Sequence, residues 1–204
     1  MKFIKWKSLI ISCFVCIAAI IPGIILWDKL PDQMAIHFDI YNNPDNFSSK
    51  AFAVFFLPVL MAFVQASCCF INDINAHKHG ERVKFTLVTK SIVPSLTVIL
   101  QLVTFGYNLG WNLNIQKIVA VIVGMVFLLI GNYMPKFDYI KNYDLDADIS
   151  RKINRFVGFE TVIMGILFII SAFLKPIATL VCLILLIPYS IIAVVYGIVT
   201  ARKK

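Results

Sequence analysis

Six long apolar blocks constrain this 204-residue chain more than any other feature, because each is long enough to cross a bilayer. A helical span needs about 20 mainly apolar residues. Hydrophobic residues make up 60% of the chain and charged residues only 15%, whereas soluble domains carry about 25% charged residues. The blocks are apolar on every face, which predicts helices rather than alternating barrel strands. They are Ser8–Trp27, Ala51–Phe70, Thr86–Leu109, Ile118–Tyr133, Phe156–Phe173 and Ile177–Thr200.

This pattern predicts an all-α integral membrane bundle, a single domain over residues 1–204. Residues 1–70 form an N-terminal hairpin module with a polar connector at 28–50, and residues 118–200 form a C-terminal half. Only a short turn around Lys175 and Pro176 separates the last two blocks, so they should pair as a helical hairpin. The first block lacks a convincing small-residue cleavage site, so we expect an uncleaved anchor.

The distribution of positive charge predicts the orientation. Fifteen of the nineteen Lys and Arg residues lie at the two termini and in the loops Ile71–Lys90 and Pro135–Arg155. Under the positive-inside rule, both termini are cytoplasmic and the connector 28–50 is extracellular. The net charge of +8 is then explained by contact with anionic membrane lipid and requires no nucleic acid.

An enzymatic role has little support in the sequence. The chain has no P-loop, dinucleotide fingerprint, HExxH or supported Ser-His-Asp pattern, and no cofactor is expected. All five cysteines fall within or at the edge of the apolar blocks. Cys13 and Cys16 have CxxC spacing, but in a lipid-embedded helix they are expected to be packing residues rather than a redox or metal site.

The connector is the predicted recognition surface. Alternation from Ala35 to Tyr41 predicts an extended segment, with Ile36, Phe38 and Ile40 on one face. A turn is predicted at 42–45, where Asn and Asp bond local backbone and Pro fixes φ. The candidate contact residues for a ligand are His37, Asp39, Asn43, Asp45 and Lys50. The alternative is a short lid in which His37 is bonded locally; one His and one carboxylate are too few for a closed zinc site, so no metal is expected.

The connector also carries a family resemblance. Its pattern LP…HF…PD…SK…LP resembles the N-terminal module of SdpI-type immunity proteins. The matching residues are Leu30, Pro31, His37, Phe38, Pro44, Asp45, Ser49, Lys50, Leu57 and Pro58. A second match, Gly131-Asn132-Tyr133-Met134-Pro135-Lys136, resembles the GNYMPK signature of the same family. The family's GIRTPWTL-like stretch is absent, and residues 143–148 read YDLDAD instead.

The resemblance implies a multi-pass protein of the bacterial cell membrane that protects a cell from a secreted antimicrobial peptide. Some such proteins also hold a repressor at the membrane. On this reading the partners are membrane lipid, a secreted peptide toxin and, in the signalling alternative, a cytoplasmic regulator bound by the basic loops around Lys78–Lys90 and Lys136–Arg155. A small transporter is a third alternative, which would need polar residues near the bilayer midplane.

Polar residues in the apolar blocks are expected to support the bundle. Glu160, read as the only acidic residue within a block, is expected to pair with Arg155 or Lys152 or to extend toward water at the cytoplasmic interface. The alternative is a polar anchor inside the bundle, bonded to Asn132 or Tyr133. Asn132 is expected to face other helices rather than lipid. The structural candidates are Asn132, Tyr133, Pro135, Arg155 and Glu160. Gln65, Gln101 and Asn108 are expected to make bonds between helices. From Asp144 onward, apolar residues at helical spacing predict a short amphipathic helix that leads into the fifth span; it would lie on the membrane surface or, alternatively, dock a cytoplasmic partner.

Overall fold

A computed structural model describes residues 4–79, 83–136 and 147–202 of the chain. In those ranges, six helical segments are long and apolar enough to cross a membrane, so the predicted all-α membrane fold is confirmed. The connector adds one two-stranded antiparallel sheet. The helices are α1 (Trp6–Ala18), α2 (Ile21–Ile25), α3 (Lys50–His79), α4 (Val83–Asn108), α5 (Ile115–Tyr133), α6 (Ala147–Ser171) and α7 (Pro176–Ala201), and a 3-10 turn follows α5 at Met134–Lys136.

The first span is interrupted rather than continuous. Helix α1 ends at Ala18, and α2 restarts at Ile21 with Pro22 in its first turn. Proline has no N–H to donate to the carbonyl four residues earlier, and its ring clashes with that carbonyl. Pro22 therefore explains why α1 ends at Ala18.

The loop predicted at Ile71–Lys90 is wrong, because α3 continues to His79 and α4 begins at Val83. Asp73 and Lys90 consequently lie within helices. Their side chains are 0% and 6% exposed, and Lys90 Nζ lies 2.6 Å from Asp73 Oδ1. Asp73 falls within a candidate span, so Glu160 is not the only acidic residue in the spans. The predicted second block ended at Phe70 because hydropathy counts Asp73 as an isolated charge. It does not represent the pairing with Lys90 that neutralises Asp73 inside the helix.

The chain divides into two compact units, Met1–Ile115 and Gln116–Lys204. In the first unit, α1, α3 and α4 pack together and the connector sheet contacts α3 and α4. Its apolar core lies under the connector and is formed by Leu30, Met34, Ala53, Val54 and Phe105. Gly23 sits against this core, and a Cβ there would lie 2.6 Å from the Phe105 ring, so a larger residue would force the ring to move.

Two prolines interrupt the hydrogen bonding of α3 and α4, and each interruption is repaired by the other helix. Pro58 cannot donate to the Val54 carbonyl, which instead accepts a bond from Gln101 Nε2 of α4 at 3.2 Å. Pro94 likewise leaves the Lys90 carbonyl free, and Gln65 Nε2 of α3 donates to it at 2.9 Å.

The two repairs reflect a short internal repeat that the sequence reading missed. Each glutamine lies seven residues after the proline of its own helix, in LPVLMAFVQ and VPSLTVILQ. Both glutamines are at most 1% exposed. We call this arrangement the proline–glutamine clasp. The expectation that Gln65 and Gln101 bond between helices is confirmed, and the backbone carbonyls are their acceptors.

The second unit is held by close contact of α5 and α6 through glycines. A Cβ on Gly131 would lie 2.8 Å from the Gly158 carbonyl, and a Cβ on Gly124 would lie 2.7 Å from the Gly165 carbonyl. Small residues of this kind let helix backbones approach closely in lipid. Helices α6 and α7 form the predicted hairpin, and Met164, Phe168 and Cys182 form the core of this unit.

Candidate functional site

The connector folds as a β-hairpin of β1 (Gln33–Phe38) and β2 (Pro44–Ser49). The expectation of an extended segment followed by a turn agrees with this structure. The predicted alternation does not hold, because the register shifts between Ala35 and His37 and leaves Ile36 in a bulge. Met34 and Ala35 are buried, at 0% and 2% exposed, and Ile36 is exposed. The prediction from alternation fails here because the extra residue of a bulge changes which face of the sheet the neighbouring side chains lie on.

Asp39 organises the turn of the hairpin. Its Oδ1 accepts hydrogen bonds from the backbone N–H groups of Tyr41 and Asn43, both at 2.8 Å. Its Oδ2 accepts a bond from Asn43 Nδ2 at 3.0 Å. These bonds hold the pKa of Asp39 below its ordinary value. The bond from the Asn43 side chain contributes most, and the bond from the Asn43 backbone N–H contributes next. Asp39 and Asn43 are therefore hydrogen-bonded to each other, and these bonds define the turn.

Two asparagines fasten the hairpin to the helices. Asn42 adopts a left-handed φ of 70°; its Oδ1 accepts from the Ile115 N–H at 2.6 Å and its Nδ2 donates to the Leu113 carbonyl at 3.2 Å. Asn108, at the end of α4, accepts from the Ala35 N–H at 2.8 Å and donates to the Ala35 carbonyl at 3.0 Å. Asn108 thus bonds the connector backbone as a neighbouring strand would, and the expectation that it bonds another helix is wrong.

Lys50 is directed inward rather than toward the surface. Its ammonium donates to the carbonyls of Trp27 and Leu30 at 3.2 and 3.1 Å, and it lies 3.1 Å from the carboxylate of Asp32. Only 15% of its side chain is exposed. The structure therefore separates Lys50 from the other contact candidates and gives it the role of closing the base of the hairpin.

His37 and Asp45 form the exposed polar feature of the hairpin. His37 Nδ1 lies 2.5 Å from Asp45 Oδ1, across the two strands. Their side chains are 68% and 46% exposed. His37 is thus bonded within the hairpin, and the pair is exposed to solvent.

Exposed aromatic residues also lie in the connector and just after α4, and the sequence did not single them out as site residues. Tyr41 is 68% exposed, Phe47 52% and Trp111, which follows α4, 62%. Trp111 packs one edge against Gly106. Aromatic side chains of this kind are enriched at binding surfaces and at membrane interfaces. No pattern distinguished them in a chain with 17 Phe, 7 Tyr and 3 Trp residues.

The candidates in the second unit are only partly brought together. Pro135 packs on Gly158, where an added Cβ would lie 2.8 Å from its ring, and Tyr133 lies under the ammonium of Lys136 at 4.9 Å. Asn132 is exposed, so the expectation that it faces other helices is wrong. Gly131 occupies the contact with α6, and the next residue is rotated about 100° away on a helix.

The bonds predicted for Glu160 are also not found among the described residues. Its Oε2 is buried and accepts no hydrogen bond, and Arg155 is exposed. The predicted amphipathic segment is not a separate helix: Ile149, Ile153, Phe156 and Val157 belong to the uninterrupted α6, while residues 144–146 lie outside the described ranges. Lys90 is buried, so it is not part of a basic docking surface.

Comparison with known proteins agrees with the resemblance. Residues 14–62 match the family model described as a domain of unknown function, DUF1648. The chain is 25% identical to the immunity protein SdpI of Bacillus subtilis (strain 168) over 174 residues, which cover 82% of each protein. It is 47% identical over 45 residues to the uncharacterized membrane protein YbgB of the same strain, covering 22% of this chain and 50% of that protein. No solved structure matches. The SdpI-like character predicted from the two motifs is confirmed.

Proposed function

Because most of this chain is similar to an immunity protein, we propose that it protects a bacterial cell from a secreted antimicrobial peptide. The protein acts by binding or occlusion at the outer surface of the cell membrane, without covalent chemistry. Both termini lie in the cytoplasm in this proposal, and the hairpin of β1 and β2 faces the extracellular side. The single observation that carries the proposal is the similarity to SdpI over 82% of both chains.

The exposed pair on the hairpin is the proposed point of contact. His37 and Asp45 present hydrogen-bonding groups on a strand pair whose position is fixed by Asn42 and Asn108. A preorganised surface loses less conformational entropy on binding than a flexible loop. Asn43 lies beside the pair on the exposed turn, while Asp39 and Lys50 maintain the shape of the hairpin.

The site supports binding by its arrangement of apolar and polar groups. Tyr41 and Phe47 add exposed aromatic surface to the same hairpin. Membrane-active peptides are amphipathic, so they present both apolar and polar groups. A surface that combines aromatic rings with a histidine–carboxylate pair is complementary to such a ligand.

Protection can be tested by expressing the protein in a strain sensitive to the cognate peptide. We expect survival above that of the empty vector. The double substitution of His37→Ala and Asp45→Ala should lower protection while the amount of protein in the membrane stays unchanged. The matched control replaces Asp28 and Lys29, which are exposed charges outside the hairpin, with alanine; this variant should keep full protection.

Two results would count against the proposal. Survival equal to that of the empty vector, with normal protein abundance, would remove the immunity function. Full protection by the variant that lacks both His37 and Asp45 would leave immunity in place but move the contact elsewhere.

A further inference from the structure

The outer edge of β2 is an unpaired edge of the connector sheet. In the described ranges this sheet consists of β1 and β2 alone, so each strand has one edge that the other strand does not cover. The outer edge of β1 is occupied, because the N–H and the carbonyl of Ala35 both bond the side chain of Asn108. Four of the six residues of β2 are exposed. We call the outer side of β2 the free edge.

The register of the hairpin determines which backbone groups lie on the free edge. Opposite residues in an antiparallel sheet alternate between pairs that exchange backbone hydrogen bonds and pairs whose N–H and carbonyl groups point away from the partner strand. The Lys50 N–H donates to the Asp32 carbonyl at 2.9 Å, so these residues form a pair of the first kind. Alternation along the register then makes Ala35 and Phe47, which are opposite each other, a pair of the second kind. The bonds from Asn108 to Ala35 agree with this phase.

Phe47 therefore presents both of its backbone groups on the free edge. Within the described part of the chain, neither its N–H nor its carbonyl has a hydrogen-bond partner beyond the hairpin. Ser49 is in the same phase two residues later, so its N–H points in the same direction. Unpaired backbone groups repeated every second residue along an edge are the groups that an added extended chain bonds.

The charge of the connector favours a cationic partner. Residues 28–50 contain four aspartates and two lysines, which is a net charge of −2 with His37 neutral, in a chain whose net charge is +8. Lys50 is directed inward and paired with Asp32, so it does not offset the other three aspartates. Asp45 lies on β2 itself, and a long cationic side chain on an adjacent strand can reach its exposed carboxylate. A second copy of this chain would instead bring two acidic connectors together, which opposes their association.

From these observations we propose that the free edge of β2 binds an extended segment of a cationic peptide as a third strand of the sheet. The Phe47 N–H and carbonyl and the Ser49 N–H bond the peptide backbone, and lysine or arginine side chains of the peptide pair with the exposed carboxylates of the connector. This inference rests on the proposed function, because it describes how the secreted peptide is held at the same hairpin. Backbone bonds supply affinity in this mode of recognition, and side chains supply specificity.

Binding is measured with the full-length protein purified in an uncharged detergent. The probes are two fluorescent peptides of about eight residues, within the usual length of a strand; one alternates valine with lysine and the other alternates valine with glutamate. Empty micelles provide the blank. We expect the lysine peptide to bind at least about tenfold more tightly than the glutamate peptide, because like charges across an interface oppose association. Isotope-edited infrared spectroscopy should show that the bound lysine peptide forms hydrogen-bonded β structure.

Proline substitutions locate the bound strand. Phe47→Pro removes the outward N–H without removing a bond to β1, and proline is tolerated on edge strands, so this variant should bind the lysine peptide about tenfold more weakly. Phe47→Ala keeps the N–H and should lose less affinity. The matched control is Gln33→Pro, because Gln33 is exposed, begins β1 and has its N–H on the opposite edge of the sheet. The control should bind the peptide as the unmodified protein does.

Several results would overturn the proposal. They are no binding of the lysine peptide, equal affinity for the two peptides, unchanged binding by Phe47→Pro, or a bound peptide without β structure; the infrared result applies even if Phe47→Pro does not fold. A dimer of the unmodified protein that Phe47→Pro dissociates would identify a second copy as the occupant and would also overturn it. The survival assay separates the two proposals. Full protection by Phe47→Pro would overturn binding at the free edge alone, whereas peptide binding without any protection would overturn the immunity function.

Discussion

The proline–glutamine clasp leads to a prediction about which residues depend on each other. Gln101 donates to the carbonyl that Pro58 leaves without a helical partner. Replacing Pro58 with alanine restores an N–H that can bond the Val54 carbonyl within α3. The side chain of Gln101 should then matter less. Gln101→Leu must therefore be more destabilising when Pro58 is present than in the Pro58→Ala background.

The structure sets the size of this effect. Gln101 Nε2 lies 3.1 Å from the Ala53 carbonyl and 3.2 Å from the Val54 carbonyl. A hydrogen bond between helices in a membrane contributes typically about 0.6 kcal/mol and at most about 2 kcal/mol. Two such bonds suggest that Gln101→Leu costs about 1 kcal/mol. Restoring the Val54 bond should recover roughly half of this, which is the expected coupling energy.

A double-mutant cycle in detergent or bicelles measures this coupling, with the free energy of unfolding determined by SDS titration or steric trapping. The repeat supplies a matched control, because Gln101 should be coupled to Pro58 and not to Pro94 of its own helix. Gln65 should show the opposite preference, for Pro94. If Gln101→Leu costs the same in all three backgrounds, the carbonyl left by Pro58 is not what Gln101 stabilises, and the reasoning fails.

Three further predictions concern charge, close contact and pH. Lys90→Met should cost about 3–5 kcal/mol because it leaves a buried carboxylate unpaired, and adding Asp73→Asn should recover most of that loss in thermal unfolding; no recovery would contradict the pairing. Gly131→Ala should lower the free energy of unfolding by about 1–3 kcal/mol through overpacking. Gly197→Ala, whose Cβ would be 4.0 Å from its nearest neighbour, should be nearly neutral. Equal losses in the two variants would refute the close contact at Gly131. Because the folded-state pKa of Asp39 is lowered, its stabilisation of the hairpin is complete above the ordinary Asp pKa and is lost as pH falls through the lowered value. Protease cleavage of the connector should therefore rise as pH falls over that window. Asp39→Asn should abolish this pH dependence.

The sequence predicted the membrane helices well because lipid imposes a simple rule on composition. Blocks of about 20 apolar residues have few alternatives in a bilayer, and all six were located. The rule failed where two charges cancel. Asp73 appeared to belong to a loop, but its pairing with Lys90 keeps both residues inside helices. Hydropathy is additive along the chain and cannot represent a contact between residues 17 positions apart.

The candidate site was predicted less completely, and the reasons lie in tertiary contacts. The turn was predictable, because Asp39 and Asn43 bond local backbone. The inward direction of Lys50 and the tether from Asn108 were not, because their partners are 20 and 73 residues away. The bulge at Ile36 reversed the expected facing of β1. Short-range patterns thus defined the hairpin, while its exposed surface depended on contacts with the helices.

The side of the membrane on which the hairpin lies tests the central claim most directly. A cysteine at exposed Asn46, which pairs with His37 across the strands, can be treated with a membrane-impermeant maleimide in intact cells. The proposed orientation predicts that Asn46→Cys is labelled in intact cells, whereas Arg202→Cys at the exposed end of α7 is labelled only after the cells are broken. Labelling of Asn46→Cys only after lysis would place the hairpin in the cytoplasm and contradict a role in binding a secreted peptide.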